Sequence, residues 1–218
     1  MKKLIVFLAA MWALGAWAGV TEVRMFEATP GHGADLMKAA VEARAIQQKL
    51  GATPFIGTDQ MGRMHYVLQF PDWAAWAVFE DKLRASKDWA AFLAKYDLPQ
   101  PISKQLAVSY LNSPVVAKTM PVTLVTAFKV NPGKTEAFVA EGQEYVALHT
   151  KLGASPGISI DPLGNVVYVL AFDSFASEAK FLAASQASKE QAALDKKTNE
   201  NPMGQAVDFY LVEQYTGP

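Results

Sequence analysis

Glu22 and Arg24 stand two residues apart in an extended run, Val20–Ala28, so their side chains share one face of a strand. A carboxylate beside a guanidinium can hold a polar ligand or steady an anionic oxygen. His65 and Gln69 occupy one face of a second alternating run, and an imidazole near such a pair changes charge around neutral pH. Phe26 would add an aromatic wall. Glu22, Arg24, Phe26, His65 and Gln69 are therefore the candidate ligand-binding set, with His65 and Arg24 the candidate acid–base or anion-steadying groups. The same residues also suit a purely structural polar network at a barrel mouth, and both readings stay open at this level.

Little other chemistry is available. The chain of 218 residues has no Cys and three His, which excludes disulfides, thiolate metal sites and Cys nucleophiles. No dedicated metal site is expected. Metalloprotease, nucleophile-elbow, phosphate-loop and dinucleotide signatures are absent. The net charge of −1 carries no footprint for nucleic acid.

Two features organise the elements that must position the candidates. Residues 1–18 begin Met-Lys-Lys, continue apolar to Trp17 and end Ala16-Trp17-Ala18. A basic start, a short apolar stretch and a small-x-small end predict an export signal cleaved after Ala18, with a periplasmic or secreted product. The apolar stretch is shorter than the roughly 20 residues a bilayer span needs, and no membrane association is expected after cleavage. Without it the balance is 18 basic against 21 acidic residues.

The second feature is a duplication. Shifting the chain by 102 residues aligns Val20–Lys95 with Val122–Lys197 without a gap and with 29 identities in 76 positions. Pro30-Gly31 meets Pro132-Gly133, Lys49-Leu50-Gly51-Ala52 meets Lys151-Leu152-Gly153-Ala154, and Tyr66-Val67-Leu68 meets Tyr168-Val169-Leu170. Such self-similarity marks repeated units. Each copy reads β-α-β-β-α-β, with a break expected near Ser86 in the second helix. The predicted organisation is a signal over 1–18, a ferredoxin-like repeat over 19–113, a linker over 114–120 and a second repeat over 121–218. The fold class is α+β, the two repeats packing sheet to sheet as one barrel.

Alternation then assigns faces. Met64, Tyr66, Leu68 and Phe70 are the most apolar set and go under the helices, leaving Arg63, His65, Val67 and Gln69 inward. Val23 and Met25 go to the helix side, which turns Glu22, Arg24 and Phe26 inward. Copy two has Leu124, Thr126, Val167 and Ala171 at the places of Glu22, Arg24, His65 and Gln69, so only copy one would line the inter-repeat space with ionisable groups. His32 is expected in a solvated turn and His149 on an exposed helix face. Trp73 is expected in the core, and Trp76 and Trp89 either in the core or in a patch for a partner.

Glu22-x-Arg24-x-Phe26 followed by Pro30-Gly31, Tyr66-Val67-Leu68-Gln69-Phe70, and Lys87-Asp88-Trp89 resemble NIPSNAP-like proteins of the dimeric α+β barrel superfamily. The resemblance covers most of copy one. It implies a barrel of two ferredoxin-like units and activities ranging from cofactor-free oxidation of polycyclic phenols to haem chemistry. The helical histidine of the haem-degrading branch has no counterpart on the second helix of either copy. The leading expectation is an exported module binding a small, partly apolar molecule between the repeats, without a cofactor and leaning away from catalysis. A monooxygenase-like or haem-dependent enzyme is the alternative, and an interaction module using Trp76 and Trp89 is a third. A second copy of the chain (a homo-oligomer) is left open as a partner.

Overall fold

A computed structural model describes residues 19–113 and 120–217; the export segment and nearly all of the linker expected from the sequence lie outside them. Repeat one runs β1 (Val20–Ala28), α1 (Gly33–Lys49), β2 (Phe55–Asp59), β3 (Met64–Phe70), α2 (Trp73–Ala85), α3 (Lys87–Tyr96) and β4 (Ser103–Asn112). Repeat two follows with β5 (Val122–Val130), α4 (Thr135–Lys151), β6 (Ser155–Ile160), β7 (Val166–Phe172), α5 (Phe175–Ala187), α6 (Lys189–Glu200) and β8 (Gly204–Gln214).

Local chemistry explains the boundaries. Leu36, Ala40, Ala43 and Ile46 bury one stripe of α1, and Gly51 follows it at φ +97°, Gly153 doing the same after α4 at +101°. Only glycine enters that left-handed conformation without a Cβ penalty. The break in the second helix falls where expected: Ser86 ends α2 and caps α3, its hydroxyl accepting from the Trp89 N–H at 3.2 Å. Ser188 repeats the device between α5 and α6.

The eight strands close into one barrel in the order β1-β3-β2-β8-β5-β7-β6-β4. Two seams join the repeats, and they are unequal. At β2–β8 the pairs Gly57↔Gln214, Thr58↔Glu213 and Asp59↔Val212 form, whereas β4–β6 is held by Asn112↔Ile160 alone. One apolar core lies between the repeat-one sheet and its helices, built from Val20, Ile56, Met64, Tyr66, Leu68, Phe70, Phe79 and Leu83 with helix α1. A smaller one in repeat two contains Val122, Leu124, Phe172 and Phe181. Among the described residues no helix is long and apolar enough to cross a membrane.

Candidate functional site

Strand register divides the five candidate residues between two faces of the sheet. Glu22 stands opposite Leu68, Arg24 opposite Tyr66 and Phe26 opposite Met64, and directly opposed residues share a face. Glu22, Arg24 and Phe26 therefore lie on the helix side, not in the inter-repeat space where the sequence placed them. His65, opposite Met25, and Gln69, opposite Thr21, do face the barrel interior. The error on β1 has a simple cause. Both faces of a sheet in a closed barrel are covered and take apolar side chains, so Val23 and Met25 satisfied either face.

On the helix side, α2 brings a second set of groups down onto β1 and β4. Asp72 caps this helix, accepting from the Ala75 N–H at 2.7 Å, and Trp76 and Glu80 follow one turn apart on the face that carries the buried Phe79 and Leu83. Glu22 is 0% exposed. One of its oxygens accepts from Arg24 Nε at 2.5 Å and the other from the Trp76 indole N–H at 2.8 Å. A buried carboxylate is tolerated only with such partners. Arg24 Nη2 reaches to 3.8 Å from Glu80 Oε1.

Tyr110 on β4 pairs with Glu22 and completes an aromatic wall. Its ring lies 5.7 Å from Trp76 and 5.9 Å from Trp73, and Trp73 meets Trp76 edge-on at 5.5 Å. Burial, reinforced by the Glu22 charge, pushes the Tyr110 phenol above its ordinary value. Trp73 itself is 42% exposed, not core as expected, and forms the outer lip of this corner. Trp76 and Trp89 are half-buried and pack against the repeat-one core. Repeat two has Leu124, Thr126, Glu178 and Leu182 where repeat one has Glu22, Arg24, Trp76 and Glu80, so the polar corner belongs to one repeat.

Inside the barrel, His65 serves the stronger seam. Its Nε2 lies 3.0 Å from Asp59 Oδ2, which also accepts from Arg63 Nε at 2.6 Å. The His65 ring stacks on Tyr210 of β8 at 4.9 Å, and the Arg63 guanidinium sits 5.5 Å from the same ring. Burial holds His65 below the usual imidazole value, although Asp59 pulls it up. Asp59 stays below the carboxylate range because bonds from His65 and Arg63 outweigh its desolvation. Burial pushes the Tyr210 phenol up to about 12. This cluster joins the repeats through neutral or compensated groups.

His149 is buried rather than exposed. It lies 2.8 Å from the Tyr168 hydroxyl through Nδ1 and 3.0 Å from Gln191 Oε1 through Nε2. Since that amide oxygen can only accept, the ring carries its proton on Nε2 and accepts from Tyr168. In repeat one Gln47 takes this place and accepts from the Tyr66 hydroxyl at 2.6 Å. Its matching polar partner, not the helical period, is what marks His149 as interior.

Trp76, Glu80, Tyr110, Asp59 and Tyr210 were not in the candidate set. The spacing of Trp76 and Glu80, four apart on a helix, was a readable signal once Glu22 was placed under that helix. Tyr110 and Tyr210 needed strand register. Two surface depressions, of about 390 and 420 Å³, lie between α1 and α3 and at the end of α3. Neither is lined by any of these residues. No group of three or more metal-ligating side chains occurs among the described residues.

No family model and no curated protein sequence matches the chain. Solved structures do. A monooxygenase candidate from Fusobacterium nucleatum subsp. nucleatum superposes with a TM-score of 0.65 at 13% identity, over 90% of this chain and 91% of the other. An anthrone oxidase-like protein gives 0.56 at 14% identity, covering 90% and 91%. A haem-binding protein from Thermus thermophilus gives 0.51 at 8% identity, again over 90% and 91%. Such identities speak for architecture alone: the chain has the α+β barrel fold of these solved structures.

Proposed function

We propose that this protein is an exported, monooxygenase-like enzyme whose substrate site is the corner formed by α2, β1 and β4. The observation that carries the reading is the Glu22–Arg24–Trp76–Glu80–Tyr110 cluster. It is built into repeat one only, on a fold whose solved relatives include a monooxygenase candidate and an anthrone oxidase-like protein. Trp73, Trp76 and Tyr110 offer flat apolar surface to an aromatic substrate. Arg24, held by Glu22 yet 29% exposed along its side chain, can steady the enolate or phenolate oxygen that forms as the substrate gives up a proton. Molecular oxygen is the co-reactant: a ring methylene and O₂ become a ketone and water. The NIPSNAP-like opening of β1 and export through residues 1–18 are parts of the same proposal.

Haem enters through the name of one structural relative, but the residues do not fit it. An axial ligand would be required, most often an imidazole. His32 pairs with Asp35 at the surface, His65 is engaged by Asp59 under Tyr210, and both ring nitrogens of His149 are taken. The purified protein is expected to show no haem absorption band after hemin addition and desalting.

The test is oxygen consumption by the mature chain with anthrone as probe. Uptake is expected with one anthraquinone formed per O₂, and Arg24→Thr, the residue of repeat two, should lower kcat/KM by about a hundredfold. Saturable anthrone binding without uptake would replace the enzyme by a binding protein. Neither binding nor uptake would remove the corner as a substrate site.

A further inference from the structure

Repeat two rebuilds the same corner without its cation. Strand register puts Leu124 and Thr126 of β5 beside Leu211 and Phe209 of β8 on the helix side, as it puts Glu22 and Arg24 beside Tyr110 and Val108 in repeat one. Helix α5 supplies Phe175, Glu178 and Leu182 where α2 has Trp73, Trp76 and Glu80. In repeat one Arg24 stands by both carboxylates, 2.5 Å from Glu22 and 3.8 Å from Glu80. Thr126 takes that place in repeat two, and the carboxylate there, Glu178, has neither a hydrogen bond nor an ion pair among the described residues. It is nonetheless only 9% exposed, and burial, opposed by no charge or bond, lifts its carboxyl above the ordinary 4.5.

The surface around this sunken group is apolar and open. Phe175 and Phe209 are each at least half exposed and Leu182 more than a third. Trp73, Trp76 and Tyr110 meet in repeat one, so the shared fold sets Phe175, Glu178 and Leu211 side by side, with Phe209 next along the strand face. Solvent still reaches the carboxylate: among the described residues, Glu80 Oε1 alone is an unpaired side-chain oxygen closed off from water.

We propose that this second corner, formed by α5, β5 and β8, binds an organic ammonium ion, whose nitrogen pairs with the Glu178 carboxylate while its apolar body lies against Phe175, Leu182 and Phe209. The proposal does not depend on the substrate site assigned to repeat one. A half-desolvated carboxylate without a partner gains most from a charge-assisted bond, and phenylalanine rings attract a cation to their faces. An anion would meet like charge. A metal ion would want several ligands, and no group of three metal-ligating side chains occurs among the described residues. Two copies of the chain packed symmetrically on this surface would bring two uncompensated Glu178 carboxylates together, so a second copy is the poorer occupant.

Two-dimensional NMR of the mature chain, titrated near neutral pH with 2-phenylethylammonium, 2-phenylethanol and 3-phenylpropionate, tests it. The ammonium should bind at least about tenfold more tightly than the alcohol and the carboxylate not measurably, with shifts centred on the signals of Phe175, Leu182 and Phe209. Glu178→Gln keeps the shape and removes the charge. In it the ammonium and the alcohol should bind equally, and the urea midpoint should stay at or above that of the parent chain. Equal affinities in the parent chain, or a preference that survives in Glu178→Gln, would overturn the assignment. Shifts centred instead on Trp73 and Tyr110 would overturn it too, as would a lowered midpoint, the sign of a partner for Glu178 within the fold. A dimer in sedimentation that Glu178→Gln dissolves would make a second copy the source of the cation, and the small-ligand proposal would fail.

Discussion

The Trp76 indole donates to the fully buried Glu22 carboxylate at 2.8 Å, tying α2 to the first strand of the sheet beneath it. Removing that donor strands an ionised oxygen in the interior. Trp76→Phe should therefore cost about 1–3 kcal/mol beyond the small loss of contact area, read as a lower urea midpoint with an unchanged slope. In a double-mutant cycle with Glu22→Gln the two effects should be non-additive by more than about 0.5 kcal/mol. Strict additivity would mean that the indole and the carboxylate do not depend on each other.

The duplication, the element order and the Ser86 break were all legible, because they depend on repeated identities, glycine positions and caps that act locally. Which face of β1 looked where was not. Alternation states that Glu22, Arg24 and Phe26 share a side, but both sides of this sheet are covered, one by helices and one by the opposite half of the barrel. Only the pairing of Glu22 with Leu68, a long-range fact, decides between them. His149 escaped for a related reason. A polar residue beside an apolar stripe reads as solvated, and the hydroxyl of Tyr168 that accounts for its burial comes from a strand 19 residues away.

Histidine burial predicts the acid side of the stability profile. His65 and His149 both sit below the ordinary value of 6.5, chiefly through desolvation. Between that value and the lower folded one, the unfolded chain binds a proton that the native chain refuses. Stability is thus full above pH 6.5 and falls as the pH drops through that window. Urea midpoints measured from pH 8 to pH 5 should decline. His149→Gln, the side chain of Gln47 in repeat one, should flatten part of the decline. A profile unchanged by that substitution would show that His149 is not one of the titrating groups.

Equivalent helices are held by different forces. In repeat one, Trp89 and Phe92 of α3 pack against the apolar core. In repeat two, α6, which like α3 has no fully buried residue, adds no side chain to the apolar cluster. It meets α4 through Lys151–Glu190 and Lys197–Glu144, the counterparts of Lys49–Asp88 and Lys95–Glu42 in repeat one, and through Thr198–Glu141, Tyr145–Asp195 and His149–Gln191. Exposed ion pairs contribute little and weaken with salt. Amide hydrogen exchange should be faster along α6 than along α3, and the difference should widen at high ionic strength. Equal protection in both helices would show that apolar contacts decide neither.

The unequal seams trace to one position in each repeat. Gly57 of β2 lies so close to β8 that a Cβ would stand 2.9 Å from the Glu213 carbonyl oxygen, as well as against Val212. Backbone does not yield as a flexible side chain does, so the approach requires glycine. Repeat two has Ser159 at the matching place, and there β6 keeps a single pair with β4. Gly57→Ser should accordingly loosen β2 from β8 and cost about 1–3 kcal/mol through overpacking. The stacking of His65 on Tyr210 lies across the same seam, so the Tyr210 ring resonances should shift in the variant while those of Tyr168 stay in place. A neutral substitution with unmoved Tyr210 signals would mean that the seam is set by the side-chain cluster of Asp59, Arg63 and His65 rather than by how closely the two backbones approach.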